Sequence, residues 1–179
     1  MAKVVLTKPM ARVASRELVI RLRRAVGLFP ELGHAPVTVG ITANPRLDGL
    51  ALPAERLIRL NPYRRRQVTY FTIGHELTHL IQPPGLGLVP SGEVQCDIWT
   101  LARHPLFLDE KPCYLTIPCD GRSWRRHASA VSHLCQRAIA VREHDRRYIV
   151  WLRKQLEHYF HPPGQLTLFP VTPSQRGIA

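Results

Sequence analysis

His75-Glu76-Leu77-Thr78-His79 is the stretch on which the reading of this chain turns. On a helix, residues i and i+4 leave the same face, so the two imidazoles can reach one ion. Glu76 stands beside the first imidazole, where a carboxylate can hold a water at the metal and take its proton. The flanks suit a helix buried on one side. Val68, Phe71, Ile73, Leu77, Leu80 and Ile81 supply apolar surface, Gly74 leaves room beside the motif, and Pro83-Pro84-Gly85 stops it. A helix is expected over residues 66–82.

A hydrolytic zinc needs a third protein ligand and an open fourth position. Glu93 is the leading candidate: it opens the next expected helix (92–103, with Ser91 as N-cap) after a short loop. Asp97 follows one turn later, where it can accept a hydrogen bond from the outer nitrogen of a ligand imidazole, His75 being the natural partner. Glu93 could instead serve only as a favourable charge at a helix N-terminus. His104, ahead of Pro105, competes as third ligand. The expectation is one zinc ion on His75, His79 and Glu93, with Glu76 as base and Asp97 behind His75.

Outward from this centre the pattern is mixed. Residues 14–27 read as a helix capped by Ser15, with Leu18, Val19, Leu22 and Val26 as its apolar stripe. Residues 37–42 read as a strand. Asn44-Pro45 and Asp48-Gly49 signal turns, and residues 56–60 alternate as a second strand that Asn61-Pro62 stops. Residues 105–122 are irregular. One long helix is expected over 129–160, where Ile149, Leu152, Leu156 and Tyr159 recur at helical spacing. The fold class is therefore α+β, with a short sheet, the motif helix and C-terminal helices. One domain is expected over 1–160, followed by a Pro-, Gly- and Ser-containing tail over 161–179.

Bulk properties bound the function. With 179 residues, 45% of them hydrophobic and 21% charged, the chain suits one soluble domain. No stretch approaches a membrane span, and Lys8-Pro9 interrupts the short N-terminal apolar run, so a cytoplasmic protein with no membrane partner is expected. The four cysteines then read as reduced thiols. A second zinc built from Cys113, Cys119 and Cys135 is conceivable, but the spacings match no zinc-finger pattern and buried structural cysteines are the preferred reading. The net charge is +12, with clusters at Arg21/Arg23/Arg24, Arg64/Arg65/Arg66, Arg122/Arg125/Arg126 and Arg142/Arg146/Arg147. Such a chain attracts polyanions, so non-specific nucleic-acid binding stands beside the plainer reading of solvated basic faces.

His75-Glu76-x-x-His79 followed by Glu93-x-x-x-Asp97 resembles the gluzincin pattern of thermolysin-type zincin peptidases. Glu93-Val94-Gln95-Cys96-Asp97-Ile98-Trp99 is similar to a run in ImmA/IrrE-like peptidases. Arg59-Leu60-Asn61-Pro62 resembles the strand ahead of the motif in SprT/Spartan-like proteases. The chain departs from the last group in carrying Glu93 where a third His is usual, and in lacking their Cys-paired zinc ribbon. The resemblance covers residues 56–103. It implies a zincin-like metallopeptidase domain acting on a protein or peptide substrate. It also implies an oxyanion-stabilising Tyr, His or Arg, for which Tyr114, His104, His127 and Arg103 are candidates.

In the tail, Gln165-Leu166-Thr167-Leu168-Phe169 resembles the short peptide by which bacterial polymerases and repair proteins bind the sliding clamp. Gln165, Leu166, Leu168 and Phe169 would be the binding residues, Leu168 and Phe169 entering an apolar pocket. A C-terminal strand packing on its own domain is the competing reading. Three functions follow: a zinc endopeptidase acting on DNA-associated proteins and recruited to the clamp, an ImmA/IrrE-like protease cleaving a transcriptional regulator, and a non-catalytic zinc-stabilised adaptor for DNA and clamp.

Overall fold

The computed structural model describes residues 2–64 and 67–162. The tail residues Gln165, Leu166, Leu168 and Phe169 lie outside the described residues. The fold of the described residues is α+β, a small four-stranded sheet with six α-helices.

The sheet is built from β1 (Val4–Leu6), β2 (Val37–Ile41), β3 (Gly49–Leu52) and β4 (Leu57–Leu60), in the order β1-β2-β4-β3. β1, β2 and β4 run parallel, while β3 pairs antiparallel with β4 and forms the edge. Val37, Val39, Ile58 and Leu60 alternate inward and are buried. Two short helical elements, α1 (Lys8–Val13) and α2 (Arg16–Gly27), connect β1 to β2. Ser15 caps α2 as expected, accepting from the Leu18 N–H at 3.1 Å.

Three elements extend the sequence reading. β1 is three residues long and is held by non-local bonds, the Val37 N–H to Lys3 and the Thr7 N–H to Val39. α1 takes Thr7 as its N-cap. β3 forms where Asp48-Gly49 had signalled only a turn. Its hairpin to β4 closes through Arg56, whose left-handed backbone (φ 49°) is held by guanidinium bonds to the Leu32 and Ala35 carbonyls at 2.7 and 3.0 Å.

The motif helix α3 (Tyr70–Leu80) starts four residues later than expected. Thr69 caps it, and the Asp109 carboxylate accepts from the Tyr70 and Phe71 N–H groups at 2.8 and 2.9 Å. α4 (Glu93–Arg103) begins after Gly92, which takes the N-cap position in place of Ser91. The single helix expected over 129–160 is two: α5 (Trp124–Arg142) and α6 (Tyr148–Phe160). The reversal carries no Gly or Pro. Asp145 makes it, accepting from the Arg147 N–H at 2.7 Å while its own N–H bonds Val141.

Two apolar cores result. One packs the sheet against α2 and α3 through Leu22, Val26, Phe29, Ile73, Leu77 and Ile81. The other joins α4, α5 and α6 through Ile98, Leu101, Trp124, Val131, Leu152 and Leu156. α3 and α4 meet between them. A Cβ at Gly74 would lie 2.6 Å from the Phe107 ring, so glycine there lets the two helices and the short 3-10 turn Pro105–Leu108 approach closely. No described helix is long and apolar enough to cross a membrane.

Candidate metal centre

α3 and α4 bring His75, His79, Glu93 and Asp97 to one place. One Glu93 carboxylate oxygen lies 3.0 Å from His75 Nε2 and 3.3 Å from His79 Nε2. Ligand atoms on a tetrahedral ion with bonds of about 2.0–2.1 Å are separated by about 3.3 Å, so the Glu93 oxygen stands at ligand-to-ligand distance from each imidazole nitrogen.

The outer nitrogens are both engaged. His75 Nδ1 donates to Asp97 at 2.8 Å. Asp97 is fully buried, and its second oxygen accepts the Tyr114 and Leu115 N–H groups, each at 2.7 Å. The carboxylate therefore joins the imidazole to the loop carrying Tyr114, whose ring stacks on His75 with centroids 5.6 Å apart. His79 Nδ1 faces Gln82 Oε1 at 2.9 Å. Both Nε2 atoms are left to face Glu93.

The structure adds a donor, Cys96, that sequence reasoning had read only as one of four reduced thiols. His75, His79 and Cys96 offer ligand atoms within 4.8 Å of one another and could hold a metal ion, a donor set that competes with the one containing Glu93. The two donor sets differ in side. The Cys96 sulfur lies 3.3 Å from His79 Nδ1, the nitrogen that Gln82 occupies, whereas Glu93 approaches Nε2. In the metal-free centre burial pushes the Cys96 thiol well above its usual range, with Glu93, Glu76 and Asp97 adding to it.

Charge in the metal-free centre follows the same contacts. Burial would lower His75, but the bonds to Asp97 and Glu93 outweigh it and raise the ring to about 9. Burial, reinforced by neighbouring His75, holds His79 below the usual imidazole range. The His75 hydrogen bond is the main cause that lowers Glu93. Glu76 is buried and raised to about 7, chiefly by desolvation. Its carboxylate makes no hydrogen bond among the described residues and packs on Gly49 of β3 so closely that any side chain there would collide with it.

Glu76 and His75 border a cleft of about 270 Å³, with Leu47, Gly49, Phe71, Thr72 and Tyr114 among its walls and Arg46 and Arg64 also lining it. Of the four oxyanion candidates, Tyr114 is the one at this cleft. His104 accepts from the Leu106 N–H and is not among the side chains gathered with His75 and His79, so it is not the third ligand. His127 contacts Tyr159 and Phe160. Arg103 pairs with Glu31 and covers the Phe29 ring. Sequence reasoning missed Gln82 and Arg46 and read Arg64 only as part of a basic cluster; Gln82 lies three residues after His79, a spacing that places it on the motif's face. Cys135 is buried in the helical core, while Cys113 is exposed and Cys119 half-buried. None of the family models, curated proteins or solved structures compared with the chain matches it.

Proposed function

We propose that the chain is a zinc-dependent peptidase whose ion is held by His75, His79 and Glu93. The observation that carries this reading is the approach of one Glu93 oxygen to both Nε2 atoms while Asp97 and Gln82 hold the outer nitrogens. Bound there, zinc would supply a Lewis acid for a scissile carbonyl and a means of acidifying water. Glu76 would take a proton from a water held in the cleft and return it to the leaving amine. Its burial and raised pKa suit the task, because a base poised near neutrality can both accept and release a proton.

The substrate enters as an extended strand in this reading. β3 pairs with β4 on one side only, and its Gly49 touches Glu76. A peptide added along the other side of β3 would satisfy the strand's free backbone groups and present its carbonyls at the cleft. Tyr114 is the proposed hydrogen-bond donor to the oxyanion. Metal analysis and hydrolysis of an unstructured protein test the proposal together. Glu76→Gln keeps its zinc and stops turnover; zinc loss in that variant, or undiminished hydrolysis, would refute the roles given to these residues. Full retention of zinc with no hydrolysis by the unmodified protein would favour the non-catalytic adaptor.

A second feature bears on where such a peptidase works. Arg125, Arg126, Arg137 and Arg142 on α5 and Arg153 and Lys154 on α6 are exposed, and none has an ion-pair partner among the described residues. Unpaired cations on one helical hairpin favour non-specific association with nucleic acid, hence a substrate among DNA-bound proteins. Recruitment by a bacterial sliding clamp through residues 165–169 belongs to the same proposal. Cleavage of a transcriptional regulator is the alternative if nucleic acid is not bound.

A further inference from the structure

We infer that Gln82 is a positioning residue that decides which nitrogen of His79 faces the metal and holds the loop that delivers Glu93. The inference rests on the metal centre proposed above and extends it to a residue outside the motif. Gln82 is 3% exposed, one residue beyond the C-cap of α3. Its amide nitrogen donates to the Gly92 carbonyl at 3.0 Å and, in a shorter contact, to the Pro90 carbonyl. Its amide oxygen faces His79 Nδ1 at 2.9 Å.

The orientation of this amide follows from its partners. Carbonyl oxygens only accept hydrogen bonds, so the NH2 end must face Pro90 and Gly92. The oxygen is left facing His79, and it too can only accept. His79 Nδ1 must therefore carry the hydrogen, which leaves the lone pair on Nε2, the nitrogen beside Glu93. The same two donor bonds fasten residues 90–92, immediately ahead of Glu93. Val89 buries the middle of that connection, and Gln82 secures its end.

Gln82 also separates the two donor sets. With its oxygen on Nδ1, His79 cannot offer that nitrogen to an ion shared with Cys96, whose sulfur lies 3.3 Å away. Glutamate would keep an acceptor for His79 but set a carboxylate against two carbonyls. Methionine would fill the space and make neither contact.

The test uses the full chain carrying Gln82→Met, Glu93→Gln, both changes together, and Ser132→Ala. The last removes a buried bond to the Leu101 carbonyl of α4 and leaves the centre untouched. Zinc affinity is read by competition with a chromophoric chelator, and the His79 tautomer by ring ¹⁵N shifts in the metal-free protein. Gln82→Met is expected to weaken zinc roughly 10- to 100-fold and to abolish the fixed Nδ1–H tautomer. Glu93→Gln should cost less in the Gln82→Met background than alone, because the ligand it removes is already displaced. Unchanged zinc affinity and tautomer in Gln82→Met would overturn the inference, as would an equal loss of zinc in Ser132→Ala. If the unmodified protein binds no zinc, the metal centre itself fails, and a fixed tautomer lost in Gln82→Met would still stand for Gln82. Zinc binding without hydrolysis, together with the zinc and tautomer losses in Gln82→Met, would sink the peptidase reading and support the positioning role.

Discussion

The contact between α3 and α4 and the contact between α5 and α6 are both helix pairs, yet they bury different chemistry. α5 and α6 meet through Val131, Cys135, Ala138, Leu152 and Leu156. Between α3 and α4 lie His75, Glu76, Thr78, Asp97 and Thr100, with Gln82 just beyond, all buried. Burying such groups costs free energy unless each is hydrogen-bonded, and nearly all of these are: Thr78 to Gly74 and Thr100, His75 to Asp97, Gln82 to His79. Glu76 is the exception. The first pair is therefore built to hold a polar centre at a cost in stability, and the second to support it and present charge outward.

The contrast is broken most sharply at Glu76. Glu76→Gln should lower peptide hydrolysis about 10²- to 10⁴-fold with zinc retained, measured by turnover and metal content on the same sample. Asp97→Ala comes next. It removes the acceptor for His75 and for the Tyr114 and Leu115 N–H groups, so zinc affinity should fall roughly 10- to 100-fold. Hydrogen exchange at residues 114 and 115 should speed up in parallel; a slow, unchanged loop would separate Tyr114 from Asp97.

Charge reversal on the helical pair should leave the centre alone. Arg125→Glu, Arg126→Glu and Arg137→Glu together should reduce the salt slope of DNA binding by about 0.9 for each phosphate no longer neutralised, with zinc content unchanged. Fluorescence anisotropy at several salt concentrations reads this, and a slope unaltered by the three changes would place any nucleic acid elsewhere.

The smallest effect is on pH dependence in the metal-free protein. Glu76 is raised from 4.5 to about 7 and His75 from 6.5 to about 9. In both cases the folded state favours the protonated form. Glu76 contributes its full stability below about pH 4.5 and loses it through 7; His75 contributes fully below about 6.5 and loses it through 9. The melting temperature in chelator should thus fall as pH rises across the two windows, and Glu76→Gln should flatten the lower one. Zinc affinity should move the opposite way, because its ligands must be deprotonated.

The centre was more legible in the sequence than the fold around it. His75, Glu76 and His79 share one turn of α3, and Glu93 and Asp97 one turn of α4, so local periodicity groups each set within its own helix. β1 and β3 were not legible, because three- and four-residue strands are fixed by partners far along the chain. The break between α5 and α6 carries no Gly or Pro, and only the packing of Leu152 and Leu156 back against α5 shows it. Gln82 was visible at helical spacing from His79. Its role needed the Pro90 and Gly92 carbonyls, which come from a loop whose path no pattern dictates. Cys96 read only as a reduced thiol, and its distance to His79 raised it to a competing donor.

The donor set is the claim on which the rest depends, and X-ray absorption at the zinc edge of the loaded, unmodified protein tests it most directly. Coordination by His75, His79 and Glu93 should give a first shell of nitrogen and oxygen at about 2.0–2.1 Å with no sulfur. A sulfur scatterer at about 2.3 Å would assign the ion to His75, His79 and Cys96 and contradict it.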